Sequence, residues 1–348
     1  MTAPAPVAQR GAHRHGHEPP RRSKARWAWI AVGALGIGGL LVLRGMLEGS
    51  GVALLPDRVQ DLLTLAISVV VESVPFVILG VLLAIVVQVW LPEGLLLRIL
   101  PAQPIARRFV ISLFGVMLPV CECGNVPLAR GLMAKGFTVP EALTLLLAAP
   151  IINPVTIITT HQAFGFDDGV LVGRIVGGLL IANLVGWIFS FHRRPTEMLT
   201  PAFAAQCAVG EDHSHGRVER SLDVFVREAS VIMPALLIGA LVAGAIQVAV
   251  PRDVLVTLGS NPLWSILAMM LLAFVIAVCS SVDAFFILPF ASTFMPGSIV
   301  TFLVFGPIID VKMLAILRTT YTTRTLLQLS ALVGLLSALV GAVVNLVA

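Results

Sequence analysis

Residues 62–91 run for thirty positions with a single charged side chain, Glu72. A run of that length and composition fits a helix that spans a bilayer with some tilt. Further apolar runs follow the same pattern at 27–43, 139–160, 170–191, 229–250, 263–295, 299–317 and 326–347. Over the whole chain 57% of residues are hydrophobic and 12% charged, against about 25% charged in an average soluble domain. The chain therefore reads as an all-α, polytopic helical membrane protein, with the lipid bilayer as its solvent and the cell membrane as its location.

Charge sets the expected orientation. The net charge of +4 sits at the amino end and in loops, so it reports topology and not a nucleic-acid partner. Residues 1–26 are rich in Pro, His and Arg and hold no apolar core for a cleavable signal; they predict a disordered cytoplasmic tail. His13, His15 and His17 alternate there, where a solvated tail outweighs the alternative of a loose metal site. The basic flank Arg21, Arg22, Lys24 and Arg26 places the amino terminus inside, ahead of an extra transmembrane helix over 27–47. The four cysteines lack the spacing of a disulfide framework.

The stretch with most chemistry is Pro119-Val-Cys-Glu-Cys-Gly-Asn-Val-Pro-Leu-Ala-Arg-Gly131. If 109–136 made one ordinary crossing, Arg130, Lys135, Arg193 and Arg194 would all lie outside. If it enters and leaves on one side, all four become cytoplasmic, as the basic-residue bias requires. The expected element is thus a hairpin of two arms broken at Cys123-Gly124-Asn125. Pro119, Gly124, Pro127, Gly131, Pro150 and Pro307 are the expected helix-break and close-packing positions. Residues 192–222 predict a polar cytoplasmic linker that includes Glu211-Asp-His-Ser-His215.

The second part of the chain echoes the first. Glu72, Pro75, Pro92, Cys121, Pro150 and Asn153 correspond to Glu228, Pro234, Pro251, Cys279, Pro307 and Asp310, at offsets of 156 to 159. The first copy (62–191) starts outside and the second (223–348) starts inside. The expected fold is therefore two inverted-topology repeats, each with a broken-helix hairpin, and a substrate site near the midplane where the breaks meet.

Thiolates are soft ligands, suited to Cu(I), Zn(II) or trivalent arsenic, and Cys121, Cys123 and Cys279 on two facing breaks predict a trigonal site. Asn125 and Asn153 are candidate substrate-binding amides that equally suit backbone groups freed at the breaks. Glu122, Asp283, Asp310 and Glu72 are carboxylates at membrane depth and candidates for proton coupling. Glu228 beside Arg227 reads as an Arg-paired carboxylate, and Asp310 near Lys312 reads equally as a pair. No phosphate-cradling glycine loop or Ser/His/Asp arrangement is present, so the sequence predicts neither an enzyme nor a bound cofactor.

Cys121-Glu-Cys-Gly-Asn-Val-Pro-Leu-Ala-Arg-Gly-Leu, the following Lys135-Gly and Ala149-Pro-Ile-Ile-Asn-Pro resemble the predicted permease family that includes YraQ and ArsP-type proteins. The resemblance runs from about residue 62 to 348. It implies permease activity on a small molecule, with Cys121, Cys123, Gly124, Pro127 and Gly131 at signature positions. ArsP-type members export trivalent organoarsenicals, which makes a thiophilic solute the expected substrate. Glu122 stands where the signature has a small residue between the cysteines. Two other readings stay open: a membrane thiol–disulfide relay at Cys121 and Cys123, and a subunit of a larger permease complex. A homodimer is compatible with any of these.

Overall fold

A computed structural model describes residues 38–39, 57–92, 94–118, 120–166, 169–208, 216–249 and 262–347. The expected tail, most of the expected first helix, Pro119, Pro251 and the cluster at 211–215 lie outside the described residues.

The first half begins with α1 (Asp57–Ile85), which loosens into a π turn at Val86–Trp90. A short α2 (Leu95–Ile99) leads to α3 (Pro104–Leu113), which tightens into a 3-10 turn at Phe114–Met117. After an interruption come α4 (Glu122–Ala134), α5 (Val139–Ile152), α6 (Pro154–Phe164) and α7 (Val170–Ser190). The segment expected as a polar linker is partly folded: a 3-10 turn at Pro195–Met198 leads to α8 (Pro201–Ala208), which buries Phe203.

The second half follows the same order. The long α9 (Arg217–Ala249) precedes α10 (Pro262–Ile276), an interruption, and α11 (Asp283–Ile287) with a 3-10 turn at Leu288–Phe290. Then come α12 (Pro296–Phe305), α13 (Val311–Leu317) and α14 (Thr323–Val347). Among the described residues every regular element is helical, apart from one isolated bridge between Leu199 and Tyr321. The span of α1 with its π turn, α7, α9 and α14 are long and apolar enough to cross a membrane. α5 and α6, bent by 40° at Asn153, make one more if counted as a single span.

The apolar run 263–295 is interrupted at 277–282, around Cys279, where Ala277 has φ 51°, and the run 299–317 at the turn around Pro307. The first half is where the sequence expectation is corrected. There Leu118 and Cys121 are extended and α4 begins at Glu122, ahead of the expected break at Cys123-Gly124-Asn125. The Cys121 carbonyl accepts the Gly124 and Asn125 N–H groups (3.1 and 3.3 Å), so helix α4 runs straight through these residues. It also continues through Pro127, as α5 does through Pro150. One proline removes one helical hydrogen bond, and buried packing around both helices outweighs that loss.

Gly124 serves packing instead of a turn. It lies against Gly80 of α1, and a Cβ on Gly124 would stand 2.4 Å from the Phe76 carbonyl oxygen. Gly131, two turns on, faces Ala84 and Gln88 of the same helix. Small residues let the two backbones approach, the main source of helix association where lipid offers no hydrophobic contrast. The turn between α4 and α5 is made by Gly136, at φ 96°.

Contacts recur between the halves as well as elements. Arg107 of α3 meets Glu141 at the start of α5 (3.4 Å), so α3 starts at the end of the molecule where α4 finishes. Ser265 of α10 donates to Ser298 of α12 (2.7 Å), 158 and 157 positions later. Thr144 donates to the Pro140 carbonyl (2.9 Å), and Thr301 to the Gly297 carbonyl (2.8 Å), both displaced by 157. The starts of α8 and α14 meet through the Thr200 N–H and the Thr320 carbonyl (2.9 Å). The far end of α14 returns to the start of α12, where Asn345 accepts the Gly297 N–H (2.7 Å).

Gly124→Ala is expected to destabilise the protein by about 1–3 kcal/mol, as overpacking does. Gly216→Ala, whose added methyl meets open space, is the neutral control. Thermal unfolding of the two variants in detergent checks this.

Candidate functional site

Both interruptions end in the same way. Cys121 lies just before α4, and its carbonyl takes the N–H groups three and four residues on. Cys279 does the same ahead of α11, accepting from Val282 (3.0 Å) and Asp283 (3.1 Å). The carbonyls freed upstream are met by side-chain amides. Asn153 donates to the Val120 carbonyl (3.0 Å), and Gln247 to that of Ile276 (2.8 Å). Non-helical backbone at membrane depth stands only where such partners exist.

The two interruptions face each other, so Cys121 and Cys279 come together. One ligand atom each from Cys121, Glu122 and Cys279 lies within 4.8 Å of the other two, and all three residues are buried. Glu122 is held on both oxygens. Lys312 of α13 donates to Oε1 (2.9 Å), while the Ser280 hydroxyl (3.2 Å) and the Cys279 thiol (3.7 Å) donate to Oε2. Cys279 Sγ also lies 3.2 Å from the Ser281 hydroxyl. Cys121, Glu122 and Cys279 make the tightest set; the Cys123 thiol also interacts with that of Cys121 and lies 3.8 Å from the Ser73 hydroxyl of α1.

The other predicted residues separate. Asp283 accepts a two-pronged ion pair from Arg174 of α7 (2.9 and 2.6 Å), whose Nη1 also reaches the Thr160 hydroxyl (2.7 Å). Asp310 caps α13 by accepting the Met313 N–H (2.5 Å), and its second oxygen lies 3.9 Å from Lys312 Nζ. Asn153 makes the equivalent cap on α6, accepting from the Val155 N–H (2.9 Å), so both ends of its amide are engaged by backbone. Glu72 differs from the other three carboxylates in being exposed, and it approaches the Cys279 thiol. Asn125 is fully buried one turn beyond Cys121, and neither amide atom has a protein partner.

Two arginines carry more of the structure than their sequence positions announced. Arg130, read above as a cytoplasmic loop charge, is 2% exposed and donates to Glu228 of α9 (2.6 Å). It also reaches the Thr320 hydroxyl (3.1 Å) and Gln206 (3.3 Å), and lies over the Phe203 ring at 4.1 Å. Arg227, the expected partner of Glu228, is more distant at 3.6 Å. Arg174 had a sequence signal that went unread: a lone cation within an apolar run implies an acidic partner elsewhere in the chain.

Residues 58–346 match the family model ArsP_1, described as a predicted permease. The chain belongs to this family. It is 34% identical over 258 residues to the UPF0718 protein YcgR of Bacillus subtilis, covering 74% of this chain and 88% of that one. It is 32% identical over 278 residues, 79% and 91% of the two chains, to a Streptococcus mutans protein named putative two-component membrane permease complex subunit. A shorter similarity, 31% over 110 residues and about a third of each chain, links it to the UPF0718 protein YraQ of Escherichia coli. No solved structure matches it. Family and helices together make this a multi-pass membrane protein of permease type.

Arg174→Met leaves Asp283 charged and buried without its partner and is expected to cost about 3–5 kcal/mol. The double variant Arg174→Met/Asp283→Leu is expected to recover most of that loss. Yield and thermal unfolding of the detergent-purified proteins measure both.

Proposed function

We propose that this protein is a secondary carrier that exports a small thiophilic solute, with trivalent organoarsenicals as the substrate class, through a central site built on Cys121 and Cys279. The observation that carries the reading is the meeting of two equivalent thiols beside a neutralised Glu122–Lys312 pair. A monosubstituted arsenic(III) centre has two exchangeable hydroxyls. Exchange with two thiols forms two arsenic–sulfur bonds and releases two waters, with no net proton. The dithiolate product is uncharged, so the buried carboxylate and ammonium keep each other as partners.

The recurring contacts support reading the halves as inverted copies. Arg107–Glu141 lies at the end where α7 runs into the linker segment, and Ser265–Ser298 lies at the end where α14 finishes. Inverted repeats meeting at helix breaks allow one half to rock against the other around a fixed site. Arg107, Lys135, Arg193, Arg194 and Arg217 gather toward the linker end, which favours a cytoplasmic linker and amino terminus. Glu72, exposed and beside Cys279, is the carboxylate best placed to exchange protons during the cycle. The thiol relay is disfavoured because Cys121 and Cys123 are buried from any protein partner.

A second reading has one observation behind it. The Streptococcus mutans relative is named a subunit of a two-component complex, and this chain would then act only with a second protein. Growth of an arsenical-sensitive host expressing this chain alone, on inorganic arsenite, methylarsenite and phenylarsenite, separates the two. The carrier reading expects tolerance of the organic forms to rise several-fold and to vanish in Cys121→Ser and Cys279→Ser. Unchanged sensitivity with the protein confirmed in the membrane would reject a self-sufficient arsenical exporter.

A further inference from the structure

We infer that Cys121, Glu122 and Cys279 also form a binding site for a soft divalent cation of the zinc and cadmium class. The inference shares its site with the proposed function but needs neither arsenical chemistry nor transport.

Its first support is the donor set. Two thiols and one carboxylate from two separate helix starts are the ligand types such ions take, with tetrahedral bonds of about 2.3 Å to sulfur and about 2.0–2.2 Å to oxygen. Those bonds put neighbouring ligand atoms about 3.5–3.8 Å apart. The Cys279 sulfur already stands 3.7 Å from Glu122 Oε2, and the whole set fits within 4.8 Å. Small movements of Cys121 alone would close the shell.

Charge is the second support, and it selects the valence. Loss of two protons from the thiols leaves two thiolates and one carboxylate, three negative charges in a buried place. A divalent ion leaves a single excess negative charge, and the Lys312 ammonium, 2.9 Å from the other Glu122 oxygen, cancels it. A monovalent ion would leave the site anionic and a trivalent one cationic. Asp310 is the more distant of the two carboxylates around the Lys312 ammonium, at 3.9 Å, and its other oxygen caps its own helix.

The surroundings supply the remainder. Lys312 and the Ser280 hydroxyl fix the carboxylate on both oxygens, the outer support that ligating carboxylates need. Glu72 of α1, exposed, reaches the Cys279 thiol beside the set. Binding then forms two metal–sulfur bonds and one metal–oxygen bond, and passes two thiol protons to solvent.

The test is a titration of the full-length protein in detergent, kept reduced, with cadmium alone, read by the ultraviolet thiolate-to-cadmium charge-transfer band. Expected are one ion per chain, loss of the band in Cys121→Ser and Cys279→Ser, and about tenfold weaker binding in Glu122→Gln. Cys207→Ser, in α8 and apart from the site, keeps the full band. X-ray absorption at the cadmium edge of the unmutated protein counts the ligands without relying on variants that fold; two sulfurs with lighter atoms supports the site. No band in folded protein, a band that survives Cys279→Ser, or any other sulfur count overturns it. A cadmium band in a protein that protects against no arsenical sustains this inference and discards the arsenical reading; protection without a band does the reverse.

Discussion

Among the described residues three buried ion pairs join the two halves, and the rest of the structure is arranged around them. Glu122 with Lys312, Arg174 with Asp283, and Arg130 with Glu228 each take one partner from the first half and one from the second. A single charge in a low-dielectric interior is severely penalised, so neither half can keep these residues inside without the other. Apolar packing between helices specifies position loosely, because lipid competes for the same faces. The ion pairs add what packing lacks, a small set of allowed registers.

The pairs differ in what else they hold. Arg174 ties the second interruption to α7 and α6 through Asp283, Thr160 and the Ser280 carbonyl. Arg130 gathers α9, α8 and the turn ahead of α14 near the linker. The Glu122–Lys312 pair lies with the two thiols where the interruptions face each other. The close approach of Gly80 and Gly124 keeps α4 against α1, so that Glu122 projects toward α13. Geometry at the thiols therefore depends on a glycine contact that no chemistry of the site would reveal.

Much of this was legible in the sequence, for identifiable reasons. Long apolar runs announce helices, and the recurrence of Cys, Pro-Ile-Ile and Asn or Asp at a fixed spacing pointed to Cys121 and Cys279 as equivalents. The amide at 153 and the carboxylate at 310 were seen as a pair, and each caps the helix that follows. What escaped were partners distant in the chain. Lys312 has Asp310 two positions away, and Arg130 counts in the chain only toward the basic-residue bias, because a one-dimensional reading pairs charges by proximity along the backbone. Interruption sites were misplaced for a related reason: glycine and proline mark where a helix can break, whereas α4 uses Gly124 for contact and starts at Glu122.

Two of the cross-half pairs draw their cation from the half that is made first. Arg130 and Arg174 leave the ribosome long before Glu228 and Asp283 exist. During synthesis the first half therefore carries two cations destined for burial before the acids that pair with them are made. Assembly of the finished bundle is then a late, concerted event, and a chain stopped between the halves is left with charges it cannot bury.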